Sequence, residues 1–310
     1  MATDHRDRIG AVIDGRYRID RLIGRGAMAE VFRATVLADQ TSVAVKILDQ
    51  KVSTNPNAQQ RFAREAQVQA MIRHRNVAAL LGSGITPQRE PYLVVELLRG
   101  RSLRSVIKNE GAVSPRRAVS YIWQALQGLA AVHAAGVLHR DLKPANIMLE
   151  PISGMIGAVG RGASSGTSSG TSGAEPTTLQ RSEGAERIVL IDFGFASLDG
   201  SAKLTQQGTV VGSLTYMAPE RLRGDAPDER ADLYSLGVVL YELLRGAPPY
   251  AADDDLDLIE QHLHGPLPQL YDPAAGIGQS LAEVARVALA KHPDERFSSA
   301  QAMAAALSTC

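Results

Sequence analysis

Strand signals crowd the first hundred residues of this 310-residue chain and helix signals dominate the rest, and that segregation restricts the fold more than any other feature. Four short β-branched runs separated by turn residues, Tyr17 to Ile23, Glu30 to Leu37, Thr41 to Leu48 and Tyr92 to Glu96, predict a sheet. Between the third and fourth, Gln59 to Arg73 places Phe62, Ala66 and Ala70 at helical spacing with Arg61, Arg64 and Glu65 elsewhere, so one helix interrupts the sheet. From about Ser102 the helical patterns take over: Pro115 to Ala135 after the cap candidate Ser114, Arg230 to Arg245, and Ser280 to Lys291. The expected class is α+β, a small β-rich lobe with one helix followed by a larger α-helical lobe. The length suits two coupled lobes, because single cores stop growing at about 250–300 residues.

Charge and cysteine usage remove several functions. The 33 basic and 33 acidic side chains cancel, so nothing in the balance marks a nucleic-acid or anionic-membrane partner. The single cysteine, Cys310, allows no intrachain disulfide, and the chain reads as one made for a reducing compartment. Residues 1–20 carry alternating Asp and Arg with no apolar run, which fits a cytoplasmic protein better than an exported one. Ala118 to Leu138 is free of charge, but Ser120, Gln124, Gln127 and His133 interrupt it, so it reads as a buried helix rather than a membrane span.

One stretch falls outside this pattern. In Gly160 to Gly173, 12 of 14 residues are Gly, Ser or Thr, with Ser-Ser-Gly-Thr repeated in tandem, and such a sequence has too little to bury to offset its ordering entropy. Its flanks, Ile147 to Leu149 and Ile188 to Ile191, read as two strands whose hairpin turn the insertion lengthens, from about Pro151 to Ala185.

Three segments carry chemistry. Gly24-Arg25-Gly26-Ala27-Met28-Ala29-Glu30-Val31 lies between the first two predicted strands, where glycine lets backbone N–H groups approach phosphate oxygens; alone, the same turn also suits a plain hairpin. Val43-Ala44-Val45-Lys46 ends in a lysine, and Glu65 on the following helix is spaced to pair with it; alone, the two residues suit better a surface lysine and a solvated helix face. The third is His139-Arg140-Asp141-Leu142-Lys143-Pro144-Ala145-Asn146, which sets several distinct functional groups in one eight-residue loop. Asp141 can accept a hydroxyl proton, Lys143 can neutralise a phosphoryl group, and Asn146 can ligate a hard cation. Ile191-Asp192-Phe193-Gly194 supplies a second carboxylate across the hairpin, and with Asn146 it makes a candidate Mg²⁺ site.

These segments together resemble the protein kinases, and among them the bacterial eukaryotic-like Ser/Thr kinases, from about Tyr17 to Phe297. Ala218-Pro219-Glu220, Asp232 in Ala-Asp-Leu-Tyr-Ser-Leu-Gly and Arg296 in His-Pro-Asp-Glu-Arg-Phe extend the match. The resemblance implies a bilobal fold: an extension at 1–16, an N-lobe at 17–98, a C-lobe at 99–300 interrupted by the insertion, and a tail at 301–310. It implies ATP as cosubstrate, with Gly24 and Gly26 over its phosphates, Lys46 on the α- and β-phosphates while paired with Glu65, and Val31, Ala44, Val95 as gatekeeper, Glu96 and Leu98 around the adenine. Asp141 would orient the acceptor hydroxyl, Lys143 the γ-phosphate, and Asn146 with Asp192 the Mg²⁺ or Mn²⁺ ions. Glu220 and Arg296 would form a buried ion pair, and Asp232 would hold the catalytic loop's backbone. The lysine in Asp-Leu-Lys-Pro-Ala-Asn points to protein substrates with Ser or Thr acceptors. Thr205 and Thr209 are candidate autophosphorylation sites, with Arg140 the cation that would receive a phosphate.

Three positions depart from the family pattern: Ala29 replaces the third glycine, Ser213 replaces the usual threonine, and the insertion separates Asn146 from Asp192. Its Ser164, Thr167, Ser168 and Thr171 are further candidate phosphorylation sites, in the same molecule or between molecules. A pseudokinase scaffold is the alternative reading, and a small-molecule kinase the third. Against the former stands the presence of Lys46, Glu65, Asp141, Lys143, Asn146 and Asp192, and against the latter the Ala-Pro-Glu and Gly-Ser segments of a peptide platform. Small-lobe pairing occurs in the family, and no residue here argues for homodimerisation.

Overall fold

The computed structural model describes residues 8–26, 29–48, 56–152, 186–192 and 214–310. Its first part is a six-stranded antiparallel sheet built from β1 (Val12–Ile13), β2 (Tyr17–Arg25), β3 (Ala29–Val36), β4 (Ser42–Leu48), β5 (Leu80–Ile85) and β6 (Pro91–Glu96), in the order β1-β2-β3-β4-β6-β5. Alternation sorts the side chains: Phe32, Ala34, Val43, Val45, Ile47 and Val94 form one buried cluster with Tyr17 and Tyr92, whose rings meet edge-on at 6.3 Å. On the opposite face Leu48 and Leu93 pack against Phe62 of α1 (Pro56–Met71). Ala70, read from the sequence as part of the helix's apolar stripe, is exposed; burial runs instead through Phe62, Val68, Gln69 and Ile72. Gln69 belongs there because its amide donates to the Ala78 carbonyl at 3.0 Å, which satisfies a polar group that would otherwise be costly to bury.

β5 and β1 have no strong sequence signal. β5 reads Leu-Leu-Gly-Ser-Gly-Ile, whose two glycines hide it, and β1 is two residues long. β1 also corrects the expected extension at 1–16: Val12 and Ile13 pair with Arg18 and Tyr17, Ile13 is buried, and Arg8 forms a bidentate pair with buried Glu90.

After the short β7 (Arg101–Ser102) come α2 (Leu103–Glu110) and α3 (Pro115–Ala134), the latter capped by the Ser114 hydroxyl, which accepts from the Arg117 amide. β8 (Ile147–Pro151) and β9 (Glu186–Leu190) pair antiparallel, and β7 joins β8. α4 (Pro219–Arg223), α5 (Glu229–Arg245), α6 (Asp255–His264), α7 (Gln279–Ala288) and α8 (Ala300–Leu307) complete the larger lobe. α5 buries thirteen of its seventeen residues, so it is the central helix around which the others pack. The expected tail at 301–310 is likewise corrected: Met303, Ala304 and Leu307 of α8 are buried in the core of the large lobe, because the Ala-rich face fits closely against its neighbours.

The two lobes meet through residues 76–78. The Asn76 amide donates to the Ile188 carbonyl at 2.6 Å, Leu190 donates to the Asn76 carbonyl and Ala78 to the Leu190 carbonyl. Gly128 of α3 permits this approach, since a β-carbon there would lie 2.6 Å from the Asn76 carbonyl oxygen. The small lobe is thereby tied to β9, the strand that leads to Asp192.

Beneath the turn at Leu214–Tyr216, His262 of α6 is fully buried, 2.8 Å from the Tyr234 hydroxyl through Nδ1, with the Tyr250 ring edge-on at 5.0 Å. Burial first, then the charge of Lys291, lowers its pKa to about 4. The folded state therefore keeps His262 neutral where the unfolded chain takes up a proton, near 6.5. Its contribution is complete above about pH 6.5 and is lost as pH falls toward 4, by up to about 3 kcal/mol. In urea titrations His262→Phe is expected to flatten the pH dependence of the unfolding free energy between pH 6.5 and 4.5. Parallel profiles for the two proteins would refute this.

Candidate functional site

Strand register assembles the first half of the site. Gly24 lies opposite Val31, Val31 opposite Lys46, and Lys46 opposite Leu93, so these residues form one row on one face; Ala44 opposite Val95 begins the next row on that same face. Gly26 donates to the Ala29 carbonyl at 2.9 Å, closing the turn between β2 and β3, and Arg25 pairs with Glu30 across it at 2.7 Å. Ala29 opens β3 opposite Leu48 and is absent from the residues with positive φ, so its methyl group meets no backbone strain. Beyond β6, the Glu96 amide donates to Ala79 and its carboxylate lies 3.4 Å from Arg187, while Leu98 is half-buried in the connector to β7.

The loop between α3 and β8 supplies the second half. Lys143 donates to Asp141 Oδ1 at 2.9 Å, and the Asn146 amide donates both to Asp141 Oδ2 and to the Asp141 carbonyl at 2.8 Å. The carboxylate is thus held by two donors from its own loop, with the 3-10 turn Pro144–Asn146 fixing their spacing. Across the hairpin the Ile191 amide donates to the Asn146 carbonyl at 3.0 Å, and Asp192 Oδ1 lies 3.1 Å from Lys46 Nζ of the other lobe. Asn146 and Asp192 flank strands β8 and β9 rather than lying on them. The reason is local: Asn146 closes the 3-10 turn before β8, and Asp192 has φ +53°, which a pleated strand does not accommodate.

Asp232, near the start of α5, holds the loop from below. Its carboxylate accepts from the His139 amide at 2.8 Å, the Arg140 amide at 2.9 Å and His133 Nε2 at 3.0 Å. Burial alone would raise its pKa, but hydrogen bonds from His133 and from the Arg140 amide outweigh burial and leave it lowered. The charge on Asp232 thus persists in the interior because three donors share it. Burial lowers the pKa of fully enclosed His139, which is accordingly neutral. Glu220 and Arg296 meet in a doubly hydrogen-bonded pair at 2.8 Å.

Glu65 lies on α1, but its side chain is outside the described residues. So are Thr205, Thr209, Ser213 and residues 153–185, including the Ser-Ser-Gly-Thr repeats. Three contributors went unnoticed in the sequence. His133 looks like an interruption of an apolar helix. Tyr216 donates to Glu242 at 2.7 Å, a pair 26 residues apart, and Arg221 donates to the Arg140 carbonyl at 2.6 Å from 81 residues away. Spacing alone does not bring such pairs together.

A two-lobed fold with a hydrogen-bonded Asp-Lys-Asn loop on one side of a cleft and a strand lysine on the other defines a phosphotransferase-like class. The chain belongs to the protein kinase family, whose domain description, "Protein kinase domain", matches residues 17–307. It is 36% identical over 306 residues to the serine/threonine-protein kinase PknH of Mycobacterium bovis, covering 99% of this chain and 46% of that protein. It is 33% identical to a probable serine/threonine-protein kinase PknB of Corynebacterium glutamicum, covering 96% of this chain and 42% of that protein. The chain therefore spans less than half the length of these relatives. The kinase domain of Mycobacterium tuberculosis PknI shares the fold, with a TM-score of 0.65 at 24% identity over 97% of this chain and 98% of that one. Among the described residues, no helix is long and apolar enough to cross a membrane.

Proposed function

We propose that this chain is the catalytic domain of a protein Ser/Thr kinase that transfers the γ-phosphate of Mg-ATP to Ser or Thr hydroxyls of proteins, in the cytoplasm. The observation that carries it is the geometry around Asp141: a carboxylate gripped by Lys143 and Asn146, facing a cleft across which Lys46 reaches Asp192. Asp141 orients the acceptor hydroxyl and takes its proton as the oxygen bonds to phosphorus and ADP departs. Lys143, within 2.9 Å of that carboxylate, offsets charge on the transferring group, and Lys46 holds the other phosphates. Gly24 and Gly26 leave the turn over the phosphates open, while Val31, Ala44, Val95, Glu96 and Leu98 line the base site. By the family resemblance, Glu65 would be the counter-charge that steadies Lys46.

The Asn146 side-chain oxygen Oδ1 and the Asp192 carboxylate are hard oxygen donors, which suit Mg²⁺ or Mn²⁺. Asn146 and Asp192 would hold such a cation beside the nucleotide phosphates. A divalent cation supplies charge neutralisation on the phosphates. Thr205 or Thr209, once phosphorylated by the domain itself, would be received by Arg140, and replacing both with alanine is expected to reduce activity measurably.

Transfer of labelled γ-phosphate from ATP, with Mg²⁺ or Mn²⁺, to the protein and to a generic basic protein substrate tests this reading. Label on Ser and Thr is the expected result. Nucleotide binding without any transfer would overturn it in favour of a scaffold.

A further inference from the structure

Arg140 is the one residue of the catalytic loop with left-handed backbone, at φ +65°, and it immediately precedes Asp141. Strain of this kind persists only where the surroundings over-determine it. From the α5 side, Asp232 accepts the Arg140 amide at 2.9 Å. From the α4 side, Arg221 Nη1 donates to the Arg140 carbonyl at 2.6 Å, a short contact strengthened by the donor's charge. That carbonyl belongs to the peptide unit whose nitrogen is Asp141's own, so its direction sets the plane from which the Asp141 side chain projects.

Arg221 is well placed to serve as a strut. It follows Glu220, which Arg296 grips through two hydrogen bonds of 2.8 Å, so the helix that carries it is anchored in the core. Arg221 lines one small cleft with Asp141, Leu142, Tyr216 and Met217, and Tyr216 is itself tied to Glu242. The segment that would meet a substrate chain and the carboxylate that would meet its hydroxyl are therefore joined through one side chain.

We propose that Arg221 is a positioning residue: by fixing the Arg140 carbonyl it holds Asp141 in register with the platform formed by Tyr216 and Met217. This rests on the phosphoryl-transfer reading above. A turn of about 15–20° of that peptide plane displaces the carboxylate by about 1 Å, and misplacement on that scale costs up to about 10²-fold in rate.

The test compares wild type, Arg221→Met and Arg221→Lys by steady-state kinetics with ATP and a basic protein substrate, and by hydrogen exchange over residues 139–146. The methionine variant is expected to lose 10- to 100-fold in kcat with the KM for ATP changed less than about twofold, and lysine, which keeps one donor, to recover at least about fivefold of that loss. Exchange in the loop should quicken in the methionine variant and return toward wild type with lysine. A methionine variant within twofold of wild-type kcat, or a lysine variant as impaired as methionine, overturns the proposal. If the methionine variant does not fold, Arg221→Ala takes its place, and equal kcat in arginine, lysine and alanine forms overturns it. Should wild type itself transfer no phosphate, the phosphoryl-transfer reading fails, and the hydrogen exchange still decides the strut: unchanged protection in the variants removes it.

Discussion

Asp141→Asn is expected to lower kcat by about 10² to 10⁴-fold while leaving the KM for ATP within about threefold. Two effects combine. An amide cannot take the acceptor's proton, which removes the general base. It also places an N–H group where the native carboxylate receives donors on both sides, Lys143 on Oδ1 and the Asn146 amide on Oδ2. One of these two donors is left facing another donor, so Lys143 or Asn146 must move, and a change at one atom disturbs three side chains. It follows that Lys143→Met added to Asp141→Asn should cost much less than Lys143→Met alone, because the contact it would remove is already broken. Steady-state rates for the four proteins check both statements. Additive losses would show that Lys143 and Asp141 act independently, contrary to a 2.8 Å ion pair.

The parts of this site legible in the sequence are those where one short segment holds the chemistry. His139 to Asn146 set Asp141, Lys143 and Asn146 within a single turn, so their proximity needs no knowledge of the fold. Gly24, Val31 and Lys46 are grouped in the sequence only by the family resemblance, and strand register is what sets them in one row. Long-range polar contacts were not legible. Arg221 looks like a surface arginine until α4 is placed over the loop, and His133 becomes an Asp232 partner only when α3 crosses α5. Hydrophobic periodicity reports which face is buried and is silent on which polar atom it meets. Two element errors have the same origin. β5 was hidden by glycines whose place in the sheet comes from pairing with β6, and the terminal helix α8 was missed because Ala-rich sequence packs well without announcing a stripe.

The largest stability effect is expected from Arg296→Met, about 3–5 kcal/mol measured by urea titration at neutral pH. Arg296 and Glu220 have side-chain exposures of 0% and 8%, so the pair is effectively removed from water. Deleting the arginine leaves a carboxylate in the interior with both charge-assisted bonds gone. It also strands the backbone carbonyls of Ala290, Arg230 and Lys291, to which the guanidinium donates at 2.8 to 3.2 Å, and removes the cation from over the Tyr234 ring. These separate losses dictate the outcome of the double variant. Arg296→Met with Glu220→Met eliminates the unpaired carboxylate but not the stranded carbonyls, so it should recover part of the loss and remain below wild type. Because the pair anchors α4, which bears Arg221 above the catalytic loop, the single variant should also lose kcat before it unfolds, while the KM for ATP, governed by the other lobe, stays near wild type. A destabilisation under about 1 kcal/mol would mean that water reaches Glu220 once the arginine is gone, and that the ion pair is an occupant of the core rather than its fastening.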